Sequence, residues 1–191
     1  MKLLQRFRLL LAALCCLLLL APASEAGAAF AERPVAFVVL DHDGGVDGKA
    51  YSQWRSVVKW AYHFPNYKLT DGGEAQTIVS EGLRSAKKVN AAALAPLAEK
   101  AGADVLVIAR VYELEERLVH SLRFDDDGPY VYVGCSADLY VYKKDGGKFL
   151  QKRLRQRGLK DMGNYDKPVE TVKWALSKLV NTMEGRPIIG E

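Results

Sequence analysis

Apolar residues occur in the first half of the chain as continuous runs and as helical spacings, in a fixed order. Residues 34–40 and 105–109 are continuous apolar runs of strand length, which is typical of strands covered on both faces. Between them, apolar residues recur every three or four positions over residues 49–62 and 74–86, which predicts two helices. Tyr67–Leu69 lies between these helices and is a predicted short strand.

A third helix and a long strand follow. Asn90 is a predicted N-cap for a helix that extends to about residue 100. The strand over residues 104–117 is solidly apolar at first and then alternates, which predicts that it emerges from the core. In this alternation Val111, Glu113, Glu115 and Arg117 share one face.

The second half of the chain predicts a hairpin and a last helix. Residues 130–142 alternate between apolar and polar, residues 144–147 supply an Asp-Gly turn, and residues 149–157 form the return strand. Asp166 and Pro168 then begin a helix, as its cap and its first-turn residue. The order predicts the α/β class: a single-layer mixed sheet of about five strands, helices packed on it, a C-terminal β-hairpin and a final amphipathic helix.

The first segment is predicted to be a secretory signal peptide. Lys2, Arg6 and Arg8 precede the apolar run 9–20, and small residues follow it, so cleavage is expected after Ala26 or Ala23. An uncleaved anchor is the alternative, but the run falls short of the roughly 20 residues of a spanning helix. We therefore divide the chain into a leader (1–26), a tether (27–33), one α/β domain (34–185) and a tail (186–191).

Composition excludes several classes of protein. The 191 residues are 49% hydrophobic, which excludes a disordered chain. Cleavage after Ala26 would remove Lys2, Arg6, Arg8 and Glu25 and lower the formal net charge from +4 to about +2, so the mature chain has no strong field for nucleic acid, and we expect no nucleic-acid partner. Once Cys15 and Cys16 are removed with the leader, Cys135 is the remaining cysteine, so no internal disulfide can form. Lipidation is not expected either, because the leucine run continues past both leader cysteines.

Three segments resemble an envelope-domain group that includes the amino-terminal domain of TolB, the curli-secretion (CsgG-like) family and activators of penicillin-binding proteins. The first is the opening strand 34–40. The second is residues 97–108, in which a helix end is followed by Gly-Ala-Asp and an apolar strand, and the third is the hairpin 137–147. The resemblance implies an extracytoplasmic α/β domain of the cell envelope. Members are often lipoproteins, and this chain lacks a usable lipobox. It also lacks a long insertion that would build a pore.

The hairpin carries the strongest candidate surface. Eight cations lie between Lys143 and Lys160, and only Asp145 opposes them locally. The alternation places three arginines on one face of the return strand, where Tyr140 and Tyr142 of the partner strand could contact their guanidinium groups. The candidate binding residues are Lys143, Lys144, Lys148, Lys152, Arg153, Arg155, Arg157, Tyr140 and Tyr142. Protection of an edge strand by charge is the alternative interpretation.

Two other groups of residues are candidates for chemistry. Asp41, His42 and Asp43 follow the first strand, where ligands bind in parallel sheets, and their oxygen and nitrogen atoms could hold a divalent cation. A solvated turn is the alternative. His63 and His120 have no Ser, Cys or Asp at a sequence spacing that would indicate a catalytic pair. Residues 124–129 are expected to form a polar loop.

The sequence therefore predicts an exported, non-enzymatic envelope protein without a cofactor. We expect it to bind an envelope protein or an anionic envelope component through the basic hairpin, and to meet the membrane only by surface association or an uncleaved leader. The first alternative is a metal-dependent or hydrolytic enzyme that uses Asp41, His42 and Asp43. The second is an oligomeric assembly or secretion factor of the CsgG-like type.

Overall fold

The computed structural model describes residues 32–84, 86, 88–119 and 130–187. These residues form one open sheet of five strands: β1 (Arg33–Asp41), β2 (Tyr67–Leu69), β3 (Val105–Val119), β4 (Tyr130–Lys143) and β5 (Lys148–Asp161). The spatial order is β2-β1-β3-β4-β5. β1 pairs in parallel with β2 and β3, whereas β3, β4 and β5 pair antiparallel. The predicted mixed sheet and its C-terminal hairpin are confirmed.

Four helices pack on this sheet. They are α1 (Gly48–Ala61), α2 (Gly73–Leu83), α3 (Ala91–Lys100) and α4 (Pro168–Met183). α1 and α4 pack on one face of the sheet and form one hydrophobic core with it. α2 and α3 pack on the opposite face and form a second core. We call these the α1/α4 side and the α2/α3 side. Residues 74–100 thus contain two helices, a point that the sequence left open.

The two cores explain the continuous apolar runs. In β1, Val35 and Phe37 belong to the core on the α1/α4 side, while Ala36 and Val38 belong to the core on the α2/α3 side. A strand with helices on both faces has no solvent-facing position, so polar residues have no place in its centre. β3 is equally buried at its start, where Val105 to Ala109 are all excluded from solvent.

A β-bulge at Tyr112 changes the faces of β3. Val111 pairs with Ala137, but Glu113 pairs with Ser136, so one extra residue stands on β3 between two pairs. The prediction that Val111 and Glu113 share a face is therefore wrong. The bulge places both Tyr112 and Glu113 on the α2/α3 side, because each contacts side chains of β4 on that side.

Two of the four helices, α1 and α3, begin with a side-chain cap, whereas α2 and α4 begin without one. The Asn90 side chain accepts a hydrogen bond from the Ala93 N–H, which confirms the predicted cap of α3. The N-cap of α4 is Lys167, without a side-chain cap bond, and Pro168 is the first helical residue. The prediction of Asp166 as the cap is wrong by one position. Pro168 occupies the first helical position, where its missing N–H is no loss, so the residue directly before it, Lys167, is the N-cap.

The segment Glu32–Glu191 is a compact unit by itself. Both cores and all five strands lie within its described residues, so it can be studied as a folded domain. The predicted leader, His120 and the loop at 124–129 lie outside the described residues, as do most of the tether and tail.

Candidate functional site

The basic hairpin has two chemically different faces. The register pairs Asp138 with Arg153 and Ser136 with Arg155, so the odd-numbered arginines of β5 lie on the α2/α3 side of the sheet. The even-numbered positions lie on the α1/α4 side, where Leu150 and Leu154 pack against the core. Arginines and strand lysines of the hairpin therefore face opposite sides of the sheet.

Asp138 neutralises two of the arginines. Its carboxylate is 4% exposed and accepts hydrogen bonds at Oδ1 from Arg153 Nε at 3.1 Å and Arg155 Nη2 at 3.2 Å. Oδ2 accepts from the Tyr112 hydroxyl at 3.2 Å. A buried carboxylate is stable only when its oxygens are bonded in this way. The arginines are thus partners of an internal acid.

The third arginine has its own acid. Arg157 Nε donates to Glu113 Oε2 at 2.6 Å, and Glu113 Oε1 accepts from the Tyr132 hydroxyl at 3.2 Å. The Glu113 side chain lies over Gly134, where an added Cβ would come within 2.4 Å of Oε1. Glycine at this position therefore makes room for the carboxylate. Asp145 is the only acid within residues 143–160, but Asp138 and Glu113 reach the arginines from neighbouring strands of the sheet.

Tyr112 provides the aromatic contact to the arginines. The guanidinium carbons of Arg110 and Arg155 both lie 5.4 Å from its ring centroid, within the range of cation–π attraction. The His42 ring stacks on the same ring with centroids 5.1 Å apart. Arg110 Nε donates a hydrogen bond to His42 Nε2 at 3.1 Å.

Tyr140 and Tyr142 lie inside the protein. They are 3% and 6% exposed and belong to the core under α2 and α3, and Tyr140 stacks on Phe149. Burial, and then the Asp138 carboxylate, raise the pKa of Tyr140 to about 12, so its hydroxyl stays protonated. The tyrosine that contacts a hairpin guanidinium group is therefore Tyr112, and not Tyr140 or Tyr142 as predicted.

The lysines of the hairpin divide into one buried and four exposed side chains. Lys143 Nζ donates to Glu184 Oε2 at 2.9 Å and to the Tyr67 hydroxyl at 2.9 Å, so it is a structural residue. Within the described part of the chain, the other four have no acid within ion-pairing distance. They are Lys144 in the turn and Lys148, Lys152 and Lys160 on β5, and all four are exposed.

The loop after β1 uses its acids for its own conformation. Asp41 accepts hydrogen bonds from the backbone N–H groups of Gly44 and Val46, and Asp47 caps α1 by accepting from Ala50 N. Among the residues that the structure describes, no three His, Cys, Asp or Glu side chains converge as a metal site. His42 contacts an arginine and a tyrosine, and the structure does not bring His63 to it: His63 Nδ1 lies 2.8 Å from the Trp60 carbonyl.

A small cavity of about 300 Å³ lies next to His42 at the carboxyl end of β1, beside Arg110 of β3. Asp41, Ser80, Arg84 and Arg110 contribute to its lining. The carboxyl ends of strands in parallel sheets are where ligands bind. It is the place where the sequence predicted a ligand, and its charged lining is more cationic than acidic.

Sequence reasoning missed Asp138, Glu113 and Tyr112, although one signal was present. A hairpin turn at residues 144–147 fixes the register of its strands, and that register sets Asp138 directly opposite Arg153. The contact of Glu113 with Arg157 depends on the bulge in β3, for which the sequence carries no comparable signal.

None of the helices in the described ranges between Glu32 and Pro187 has the length and apolarity that a membrane crossing requires. No protein-family model matches this sequence, and no curated protein does either.

Several solved structures match this chain at low sequence identity. The hypothetical protein CT253 from Chlamydia trachomatis is 12% identical, with 81% of this chain and 97% of that chain covered and a TM-score of 0.43. Lipoprotein GNA1162 from Neisseria meningitidis is 16% identical, with 80% and 99% covered and a TM-score of 0.37. The PelC dodecamer from Paraburkholderia phytofirmans is 13% identical, with 79% and 84% covered and a TM-score of 0.34. Likenesses this distant assign the chain to no family, and the resemblance to TolB and CsgG-like domains stays a prediction.

Proposed function

We propose that the protein is an exported, non-enzymatic binding protein that contacts an anionic component of the cell envelope through the lysines of its hairpin. Export rests on the leader of the sequence. The contact rests on one observation: the hairpin arginines are bonded to Asp138 and Glu113, whereas Lys144, Lys148 and Lys152 are exposed and have no described acid partner. Unpaired cations attract a partner more strongly than cations that an internal carboxylate already neutralises.

The division of the hairpin into two faces decides which substitutions test this function. Changing Arg153 or Arg155 would leave the buried Asp138 carboxylate without its partners and would disturb the fold. Changing Lys144, Lys148 and Lys152 to Gln removes three exposed charges and breaks no bond that the structure contains. A matched control changes Arg84, Lys88 and Lys100 to Gln, because these exposed cations lie on or beside α2 and α3.

The experiment uses immobilised segment Glu32–Glu191 as bait for fractionated envelope extract. We expect an anionic component that the unchanged bait and the control variant retain and that the lysine variant loses. Retention should also fall at high salt, since about 1 M salt shortens the screening length to about 3 Å. Equal retention by the two variants, or no retained component on any bait, would contradict the proposal.

A further inference from the structure

The outer sides of α1 and α4 form one continuous surface. Both helices pack on the same core, and Trp54 Nε1 of α1 donates a hydrogen bond to the Val169 carbonyl of α4 at 3.0 Å. The two helices therefore lie side by side on the sheet. Side chains that point away from the sheet on either helix are therefore exposed on the same side of the protein.

Two tryptophans lie on this outer surface. Trp60 of α1 and Trp174 of α4 are each 66% exposed, whereas Trp54 of α1 is fully buried. Exposure leaves most of a large apolar ring in water, which costs free energy in the isolated protein. Tryptophan has an apolar body and a polar N–H, and it is enriched where one side of a surface is apolar and the other is wet.

Cations surround the tryptophans. α1 carries Lys49, Arg55 and Lys59 and no acid, and Lys49 and Lys59 are exposed without an acid partner among the described residues. On α4, Lys178 is exposed close to Trp174 along the helix. The acid Glu170 of this helix is bonded to Lys173 at 2.9 Å.

The hairpin lysines extend the same surface. Near the start of α4, Thr171 Oγ1 donates to Gln156 Oε1 of β5 at 3.4 Å. Near its end, Met183 shares a cavity lining with Leu150 of β5. Lys152 lies between these two contacts on the same side of β5, so it lies beside α4 on the side of the sheet that this helix covers.

The opposite side of the protein differs in charge. The arginines of β5 are bonded to Asp138 and Glu113 there. α2 carries Glu74 and Glu81 and no cation within its bounds. Exposed cations also occur on that side, at Arg84, Lys88 and Lys100, but both exposed tryptophans lie on the α1/α4 side, where exposed lysines accompany them. We call the α1/α4 surface the Lys–Trp surface: Lys49, Lys59, Trp60, Lys148, Lys152 and Trp174.

We infer that the Lys–Trp surface docks on an anionic phospholipid bilayer. Lysine ammonium groups bind the phosphate headgroups, and Trp60 and Trp174 enter the interface between headgroups and acyl chains. The inference rests on the proposed function and names its anionic partner. A lipid surface fits better than a soluble polyanion, because a polyanion would use the lysines but leave the tryptophan rings in water.

The test measures co-sedimentation of the segment Glu32–Glu191 with vesicles of phosphatidylcholine alone and of phosphatidylcholine mixed with phosphatidylglycerol. Tryptophan emission is recorded in parallel. Soluble polyphosphate serves as a lipid-free polyanion. One pair of variants removes two charges from either side: Lys148→Gln with Lys152→Gln, and Lys88→Gln with Lys100→Gln. A second pair removes exposed apolar groups: Trp60→Ser with Trp174→Ser, and Leu159→Ser, which lies on the α2/α3 side and is 53% exposed.

We expect the segment to bind the vesicles that contain phosphatidylglycerol and not those of phosphatidylcholine alone. Tryptophan emission should shift to the blue on binding, because Trp60 and Trp174 leave water. Loss of Lys148 and Lys152 should weaken partition about 30-fold, at about fivefold per lysine near an anionic surface. The paired change of Trp60 and Trp174 should weaken it roughly tenfold by removing apolar contact area. The variants at Lys88, Lys100 and Leu159 should bind as the unchanged protein does.

Each contrary result has a distinct meaning. Binding to polyphosphate without binding to vesicles would overturn the lipid inference and leave the proposed function standing. Vesicle binding that is equally weakened by the lysine pairs of both sides, or is insensitive to the tryptophan change, would overturn the Lys–Trp surface as the docking site. Binding to neither polyphosphate nor vesicles would overturn the lipid inference, and a failed capture of envelope components would separately overturn the proposed function.

Discussion

At the scale of single residues, Asp138 organises the charged face of the hairpin. Its carboxylate is buried and accepts hydrogen bonds from Arg153, Arg155 and Tyr112. Asp138→Asn should lower the free energy of unfolding by roughly 2 kcal/mol, less than for a fully buried pair because both arginines are about half exposed. Urea unfolding measures the change.

Asp145→Asn is the matched control for this prediction. Asp145 also pairs with an arginine, Arg33, but at 3.4 Å and with both side chains exposed. Its loss should change stability by less than about 0.5 kcal/mol. If the two variants are equally stable, Asp138 has no special structural role.

Cys135 predicts how stability depends on alkaline pH. Burial raises the pKa of its thiol from 9.0 to about 11, so the unfolded chain loses this proton first as the pH rises. A pKa that is raised in the folded state contributes stability below the unfolded pKa, and this contribution is lost as the pH passes through the folded value. Stability should therefore fall between pH 9.0 and about 11.

A comparison of Cys135→Ala with the unchanged segment Glu32–Glu191 isolates the thiol from the tyrosines, whose ordinary pKa of 10.0 lies in the same pH window. The unfolding free energy of the alanine variant should decline less steeply over this window. Parallel pH curves for the two proteins would show that the thiol contributes nothing.

At the scale of elements, a side chain completes the edge of β1. β2 pairs with only the first residues of β1, up to Val35. Further along, Gln76 of α2 donates from Nε2 to the Val39 carbonyl at 2.6 Å, and its Oε1 accepts from the Val39 N–H at 3.1 Å. The amide group of one glutamine thus takes the place of a neighbouring strand.

Gln76→Ala should leave both backbone groups of Val39 without their partner, at a cost of roughly 2 kcal/mol. Amide hydrogen exchange at Val39 measures this directly and should accelerate. Thr77→Ala is the control on the same helix, since its hydroxyl bonds only to the Gly73 carbonyl. Unchanged protection of Val39 in the glutamine variant would refute the role of Gln76.

At the scale of the whole molecule, one buried ion pair joins three elements. Lys143 of β4 bonds to Glu184 at the end of α4 and to Tyr67 of β2, and both charged side chains are largely shielded from solvent. Removing either charge alone leaves the other buried and unpaired, which costs about 3 kcal/mol. Lys143→Met and Glu184→Leu should each destabilise strongly.

The double variant distinguishes a coupled pair from two separate contributions. Combined, Lys143→Met and Glu184→Leu should be more stable than either single variant, because apolar groups of similar size leave no orphaned charge. Thermal unfolding of all four proteins measures the coupling. Additive losses would show that the two side chains act independently.

The sequence by itself determined the elements and their order. Apolar periodicity depends only on which side of a strand or helix is covered, so it is written locally. The runs in β1 and β3, the cap at Asn90 and the turn at residues 144–147 therefore predicted the α/β fold correctly. The helical spacing of apolar residues also places Trp60 and Trp174 outside the buried faces of α1 and α4. This spacing does not show which helices lie side by side.

The tertiary structure alone decided which charges remain free. Whether an arginine is a binding group or a structural one depends on acids that reach it from another strand, and the bulge at Tyr112 brings Glu113 to Arg157 from 44 positions away. It also decided that lysines of β5 join the outer sides of α1 and α4. Such assignments depend on sheet order, register and face, which arise when distant segments pack and are not carried by any local pattern.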